Sequence, residues 1–145
     1  MPVFQPLRIH SLLAHTMKFA TFNVQGFGPD DACKASRNAE AFGVTPGADG
    51  GGTRYPTHRT DGRVEFYTMS TSLVNAAFAT IFNLDENSPN GLGIGPLFIR
   101  NRLGSLVIEA EQAWVVKPAD VEISVQPKVR TWILETVGLR MFPGS

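Results

Sequence analysis

Very little in this 145-residue chain offers chemistry. It holds one cysteine, Cys33, which excludes an internal disulfide framework and leaves the redox compartment open, with a reducing one slightly favoured. Neither sign of charge is in excess: 13 Lys and Arg face 13 Asp and Glu, so nothing electrostatic argues for tight binding to nucleic acid or to an anionic membrane. Charged residues make up 18% of the chain, below the usual share of about a quarter. A weakly charged surface suits a subunit that hides much of itself against its own copies, and equally a compact monomer with long loops. No run approaches the roughly 18 apolar residues of a membrane span. Pro2, Pro6, Arg8, His10 and His15 interrupt the N-terminal apolar residues before a secretory h-region forms, so a soluble protein made in the cytoplasm is expected. His10, His15 and His58 are scattered with no cysteine at ligand spacing, and no G-x-S-x-G elbow occurs. No catalytic, cofactor-binding or metal-binding residue is therefore assigned.

What the chain does hold is a set of short apolar runs, enough at 43% hydrophobic content to build one core. Residues 1–16 show no period and read as an extended arm, with Val3, Phe4 and Leu7 as candidate contacts to a neighbouring subunit. Residues 17–145 read as a single β domain. Strand signals fall at Lys18 to Val24, Ala32 to Arg37, Ala41 to Thr45, Arg63 to Thr68, Leu97 to Arg100, Val121 to Val125 and Arg130 to Met141. The run Ser105 to Lys117 alternates at period two, with Leu106, Ile108, Ala110, Trp114 and Val116 expected on a buried face and Glu109, Glu111 and Lys117 opposite them. One helix is expected over about 72–84, capped by Thr71 or Ser72, with Leu73, Val74, Ala77, Phe78, Ile81 and Leu84 on its apolar stripe and Asn75 and Asn83 outside it. The fold expected is mainly β, an antiparallel sandwich or partly closed barrel with one flanking helix.

Some features admit a functional and a bland reading side by side. The glycine-rich stretch 46–61 begins like a phosphate-binding loop, yet it has no lysine before Thr53 and leads into no helix, so a flexible loop is preferred. Glu109 and Glu111 sit about 7 Å apart by strand geometry, a spacing paired carboxylates use, but no third catalytic group accompanies them. Trp114 and Trp132 lack the surrounding Lys and Arg of a base-stacking platform and are expected, with Phe78, to anchor a core or an interface.

In order along the chain, Asn23-Val24-Gln25-Gly26-Phe27, Ser36-Arg37-Asn38-Ala39-Glu40-Ala41-Phe42, Gly47-Ala48-Asp49-Gly50 and Thr71-Ser72-Leu73-Val74-Asn75-Ala76-Ala77-Phe78 form a series. Gly95-Pro96-Leu97-Phe98-Ile99, Gln112-Ala113-Trp114-Val115-Val116-Lys117-Pro118 and Arg130-Thr131-Trp132-Ile133-Leu134 continue it. The series resembles the tail tube proteins of contractile-tailed bacteriophages. The resemblance starts near Phe19 and covers almost everything after it, while the arm is longer and Gly50-Gly51-Gly52 richer in glycine than the family pattern.

The resemblance implies a virion protein, assembled in the host cytoplasm, that forms hexameric rings around a shared inner β-barrel. Rings would stack into a tube inside a contractile sheath, through which DNA passes without specific binding. Partners so implied are other copies, the tail sheath protein, and the baseplate and tail terminator proteins, with no cofactor. Glu109 and Glu111 are then candidates for a lumen wall that repels the DNA backbone. The loop, with Arg54, Tyr55 and Arg59 behind it, is expected to reach an adjacent ring or subunit. The tube of a related contractile injection or secretion system is the alternative within the structural class, and a monomeric small-ligand β-barrel is the alternative outside it.

Overall fold

The computed structural model describes residues 7–144. Most period-two alternation becomes antiparallel strand, and the single helical stripe becomes one helix. The strands are β1 (His15–Phe19), β2 (Phe22–Asn23), β3 (Cys33–Arg37), β4 (Phe42–Pro46), β5 (Gly52–Pro56), β6 (Gly62–Met69), β7 (Gly95–Asn101), β8 (Val107–Val115), β9 (Val129–Val137) and β10 (Arg140–Phe142). Helix α1 spans Val74–Glu86, between β6 and β7. Eight strands form one sheet in the order β2-β1-β7-β8-β9-β6-β3, with β10 also pairing β8, while β4 and β5 form a separate two-stranded hairpin.

Alternation decides which side of the sheet is apolar. Met17 pairs with Ile99, Ile99 with Ile108, Val115 with Leu134, Leu134 with Val64, and Phe66 with Trp132, so one face carries a continuous row of buried side chains. α1 packs on this face through Phe78, whose ring lies 5.2 Å from Trp132, 5.2 Å from Phe22, 5.9 Å from Phe66 and 6.0 Å from Phe19. The opposite face mixes charges, with Lys18 beside Asn23 and Phe98, Glu109 beside Arg140, and Arg63 beside Glu135. Where the helix does not reach, the inner face opens into a cleft of about 330 Å3 lined by residues of β1 and of β3, so the two ends of the sheet curl toward each other.

The structure departs from the sequence expectations at several places. The domain starts earlier than residue 17, because the Arg102 side chain donates to the carbonyls of Leu13 and Ala14 and ties the chain down there. The expected strand over Lys18 to Val24 is instead β1 and β2, joined by a tight turn in which Ala20 takes a positive φ of 53°. The expected loop 46–61 is largely a hairpin, with the Gly47 N–H bonded to the Gly51 carbonyl and β5 paired with β4 from Gly52 to Pro56. Its residues are almost all exposed, so backbone pairing and not burial makes it. Val121 to Val125 forms no strand.

Helix α1 begins later than the expected cap, at Val74, with Leu73 in the cap position and no side-chain cap. Ser72 instead donates to the Gln25 carbonyl.

The largest correction concerns β8. Gly95 pairs with Ala113 while Leu97 pairs with Ala110, so β8 holds one residue more than β7 between the two pairs. That β-bulge flips the strand's faces. Ile108 and Ala110 point into the core before it, Ala113 and Val115 after it. Trp114 is therefore half-buried on the outer face opposite Glu135, not a core anchor, and Val116 is exposed, whereas Leu106, ahead of the bulge, stays half-buried against the core. Phe78 and Trp132 do lie in the core.

One core position carries an avoidable cost. Thr136 is fully buried and its Oγ1 has no hydrogen-bond partner. Removing an unpaired buried hydroxyl without changing shape recovers its desolvation cost. Thr136→Val is expected to raise stability by about 1 kcal/mol in urea unfolding; a loss of stability would show that the hydroxyl is in fact paired.

Candidate assembly surfaces

Four surfaces place the residues singled out in the sequence. The first is the outer face of the sheet. Glu109 and Glu111 are both exposed and line a shallow hollow of about 300 Å3 with Phe98, Gly138 and Arg140. Arg140 stands directly across from Glu109 in the ladder, and Arg100 and Lys18 lie on neighbouring strands of the same face. The face is thus a checkerboard of both signs, and not a purely acidic wall. Arg63 and Glu135 form an exposed ion pair at 2.9 Å on it, of the kind that contributes at most about 1 kcal/mol.

The hairpin β4–β5 is the second surface. Phe42, Val44 and Tyr55 are exposed, and the Arg54 guanidinium lies 3.8 Å from the centre of the Phe42 ring. Tyr55 lies over Gly43, where any Cβ would stand about 2.5 Å from its ring. A two-stranded hairpin with no core of its own is marginal in water. Arg54 and Tyr55, consecutive on β5, lie on opposite faces of this exposed hairpin, Arg54 over Phe42 and Tyr55 over Gly43. Arg59 does not join them, because its guanidinium is engaged by Asp61 at 2.9 Å. That hydrogen bond, with a second from Asn38, holds the Asp61 carboxyl below its ordinary range.

An apolar groove of about 820 Å3 between α1 and the start of β7 is the third, lined by Phe22, Ala77, Ile81, Leu84, Leu92 and Ile94. The sequence does not reveal it, since Phe22 falls in an expected strand, Ala77, Ile81 and Leu84 on the core stripe of the helix, and Leu92 and Ile94 in a connecting segment. Leu84, Leu92 and Ile94 are all partly exposed. The fourth surface is the stretch 120–129, every residue of which is exposed. Of the candidate arm contacts, Leu7 is 96% exposed, while Val3 and Phe4 lie outside the described residues.

Chemistry is sparse on all four. Among the described residues no group of three His, Cys, Asp or Glu side chains could hold a metal ion, and no helix is long and apolar enough to cross a membrane. Cys33 is half-buried on β3; burial first, and the Glu65 carboxylate second, push its thiol up to about 12. Because the thiolate is the reactive form, alkylation of Cys33 at pH 8 is expected to run about 100-fold or more slower in the folded protein than in urea. Equal rates, read by mass spectrometry, would mean that the thiol is not shielded.

No known family profile and no curated protein matches the sequence. Among solved structures, the fold is similar to the anti-feeding prophage cap, a tube terminating cap, with a TM-score of 0.59 at 10% identity over 98% of this chain and 94% of that one. It is similar also to the PVC sheath/tube terminator of an extracellular contractile injection system in its extended state. There the TM-score is 0.58 at 11% identity, over 97% of this chain and 99% of that one. At such identities the likeness is one of fold, and it extends over nearly the whole chain: a mainly β, antiparallel architecture with one helix, of the kind found in these two terminators.

Proposed function

We propose that this chain is a non-enzymatic, ring-forming subunit of a contractile tail or contractile injection machine, placed where the tube ends, as a terminator or cap. The observation that supports it is the fold likeness to two tube terminators over nearly the full length of both partners. The low charge and the several uncovered surfaces suit a protein that works by contact. Its partners in this reading are other copies, in a hexameric ring, together with the tube and sheath proteins. Its location is the particle, after assembly in the host cytoplasm.

The second reading is the tube subunit itself, favoured by the ordered series of motifs from Asn23 to Leu134. The two differ in what the rings do next. A terminator needs contacts that close a ring and a face that stops growth, whereas a tube subunit needs a ring-to-ring contact that repeats without end. Whether DNA or protein passes is left to the lumen charge, and the mixed outer face around Glu109 and Arg140 gives less repulsion of DNA than two bare carboxylates would.

Negative-stain microscopy of the purified protein, alone and mixed with a candidate tube protein from the same genome, tests both. Single rings, or rings capping tube ends, are the expected result. Long tubes of this protein alone would move the assignment to the tube subunit. A 15.8 kDa monomer under every condition would overturn both readings.

A further inference from the structure

We propose that residues 120–126 of one copy add as a strand to the free edge of β3 in the next copy, closing the cleft between β3 and β1. The inference rests on the ring-forming reading and specifies its contact.

The donor segment has the signature of a half-buried strand and no strand to pair with. Val121, Ile123 and Val125 are 63%, 91% and 103% exposed, and they alternate with Asp120, Glu122, Ser124 and Gln126. Three β-branched residues at period two favour extended backbone and one apolar face. Yet residues 119–127 make no backbone–backbone hydrogen bond among the described residues. The segment is anchored at both ends, by the Val116 N–H on the Ile133 carbonyl and by the Ser70 N–H on the Lys128 carbonyl. Between the anchors it presents unpaired backbone groups and apolar side chains to the outside, up to a bend at Val125–Gln126 where Ser124 Oγ donates to the Gln126 carbonyl at 2.8 Å and which strand addition would straighten.

The receiving edge matches it on both faces. β3 pairs only with β6, so its other edge is open among the described residues. Cys33 and Ala35 point inward, where they line the cleft with Met17, Ile99, Leu106 and Ile108. Lys34 points outward and is exposed, and neither it nor Asp120 nor Glu122 has an ion-pair partner among the described residues. A strand laid along β3 has one parity that works. It seats Val121, Ile123 and Val125 over the apolar cleft and sets Asp120 and Glu122 beside Lys34; a slip of one residue would drive both acids into the cleft.

A second copy, and not the chain's own fold, supplies the strand. On its own subunit the path from β9 toward β3 is already filled, since residues 26–28 pair with the end of β6 through the Phe27–Thr68 bridge and the Gly28 N–H on the Tyr67 carbonyl. Donor and acceptor then lie on different parts of every copy, which is the head-to-tail contact that closes rings. Addition of a strand to a sheet edge draws affinity from the backbone and register from the side chains.

The test combines a zero-length carbodiimide cross-link with a side-chain deletion. Equal amounts of isotopically heavy and light protein are mixed, allowed to form rings and cross-linked. The expected product is an amide between the Lys34 amine and the Asp120 or Glu122 carboxyl, joining one heavy and one light chain. In parallel, the triple variant Val121→Ser, Ile123→Ser, Val125→Ser is expected to keep the wild-type melting curve, because these side chains are exposed in the subunit. It should raise the concentration needed for rings by ~100-fold or more. Rings that form normally in the triple variant and carry no mixed Lys34 link would overturn this contact while leaving the ring-forming reading intact. A wild-type protein that never forms rings would overturn both.

Discussion

Phe78→Ala is expected to be the most damaging single substitution in the core, at roughly 3–5 kcal/mol. Phe78 is fully buried, and four aromatic rings surround it. Trp132 and Phe19 lie nearly parallel to its ring, at 21° and 19°, while Phe22 meets it at 86°. These rings come from β1, β2, β6 and β9, so one helical side chain joins strands far apart in sequence. Truncation removes the transfer free energy of the ring, leaves a cavity bounded by stiff aromatic neighbours that collapse poorly, and cancels up to four ring contacts of about 0.5–1.5 kcal/mol each, which do not add fully. Against a total stability of about 5–15 kcal/mol for a domain of this size, much of the folded population is at stake. Urea unfolding followed by tryptophan fluorescence measures it, since Trp132 reports on the same cluster. A loss below about 1 kcal/mol would mean that the helix is not held by this contact. Phe78→Leu, which fills most of the volume, is expected to cost less than half as much.

The same cluster shows why part of the fold was legible in the sequence and part was not. Phe78, Val64, Phe66 and Trp132 could be placed because alternation and helical spacing are direct consequences of burial on one side. The hairpin β4–β5 could not, because nothing in Gly52–Pro56 is buried and the pairing rests on the backbone alone. Trp114 was set on the wrong face because a bulge at 111–112 adds one residue to β8, and period-two reading has no means of sensing an insertion that only the partner strand defines. Ala113 and Val115 are as apolar as their neighbours, so the shift left a faint trace in composition. Val121, Ile123 and Val125 were read as a strand on a real pattern, and the pattern failed only in lacking a partner within the described residues. Among the candidate contact residues, Arg54 and Tyr55 are exposed on opposite faces of the hairpin, whereas Arg59 pairs with Asp61 two residues away, a local contact that composition alone does not reveal. The apolar groove under Leu84 and Ile94 escaped because an apolar stripe on a helix reads as core whether or not a sheet covers all of it.

Asn75 was the most misleading residue, and its substitution carries the second-largest expected effect. It falls three positions before Phe78 and so shares the buried face of α1, although the apolar stripe read from the sequence does not include it. Its side chain is a three-way clamp: Oδ1 accepts from Thr68 Oγ1 at 2.6 Å and from Trp132 Nε1 at 2.9 Å, and Nδ2 donates to the Met69 carbonyl at 2.8 Å. The orientation of the amide is forced, because an indole N–H only donates and a backbone carbonyl only accepts.

Asn75→Ala leaves the Trp132 N–H and the Met69 carbonyl without this partner, whereas Thr68 keeps a weaker bond to the Arg130 carbonyl at 3.4 Å. Three lost bonds at about 1 kcal/mol each, with some added cost for the stranded indole N–H, give an expected loss of about 3 kcal/mol. Asn75→Asp separates charge from shape. The carboxylate still accepts from Thr68 and Trp132, but it is buried and faces the Met69 carbonyl, so its folded pKa rises above the unfolded value near 3.9. A raised folded pKa contributes stability that is fully present below the unfolded value and is lost as pH rises through the folded one. The Asp variant should therefore approach the wild type near pH 4 and fall progressively behind it toward pH 7, while the deficit of the Ala variant stays flat. Parallel deficits across that range would mean that the site is wet and the clamp loose. Because the clamp fixes Thr68, Met69 and Trp132 at the end of the sheet where Ser70 holds Lys128, both variants should also loosen the base of the 120–126 segment and raise the concentration needed for rings.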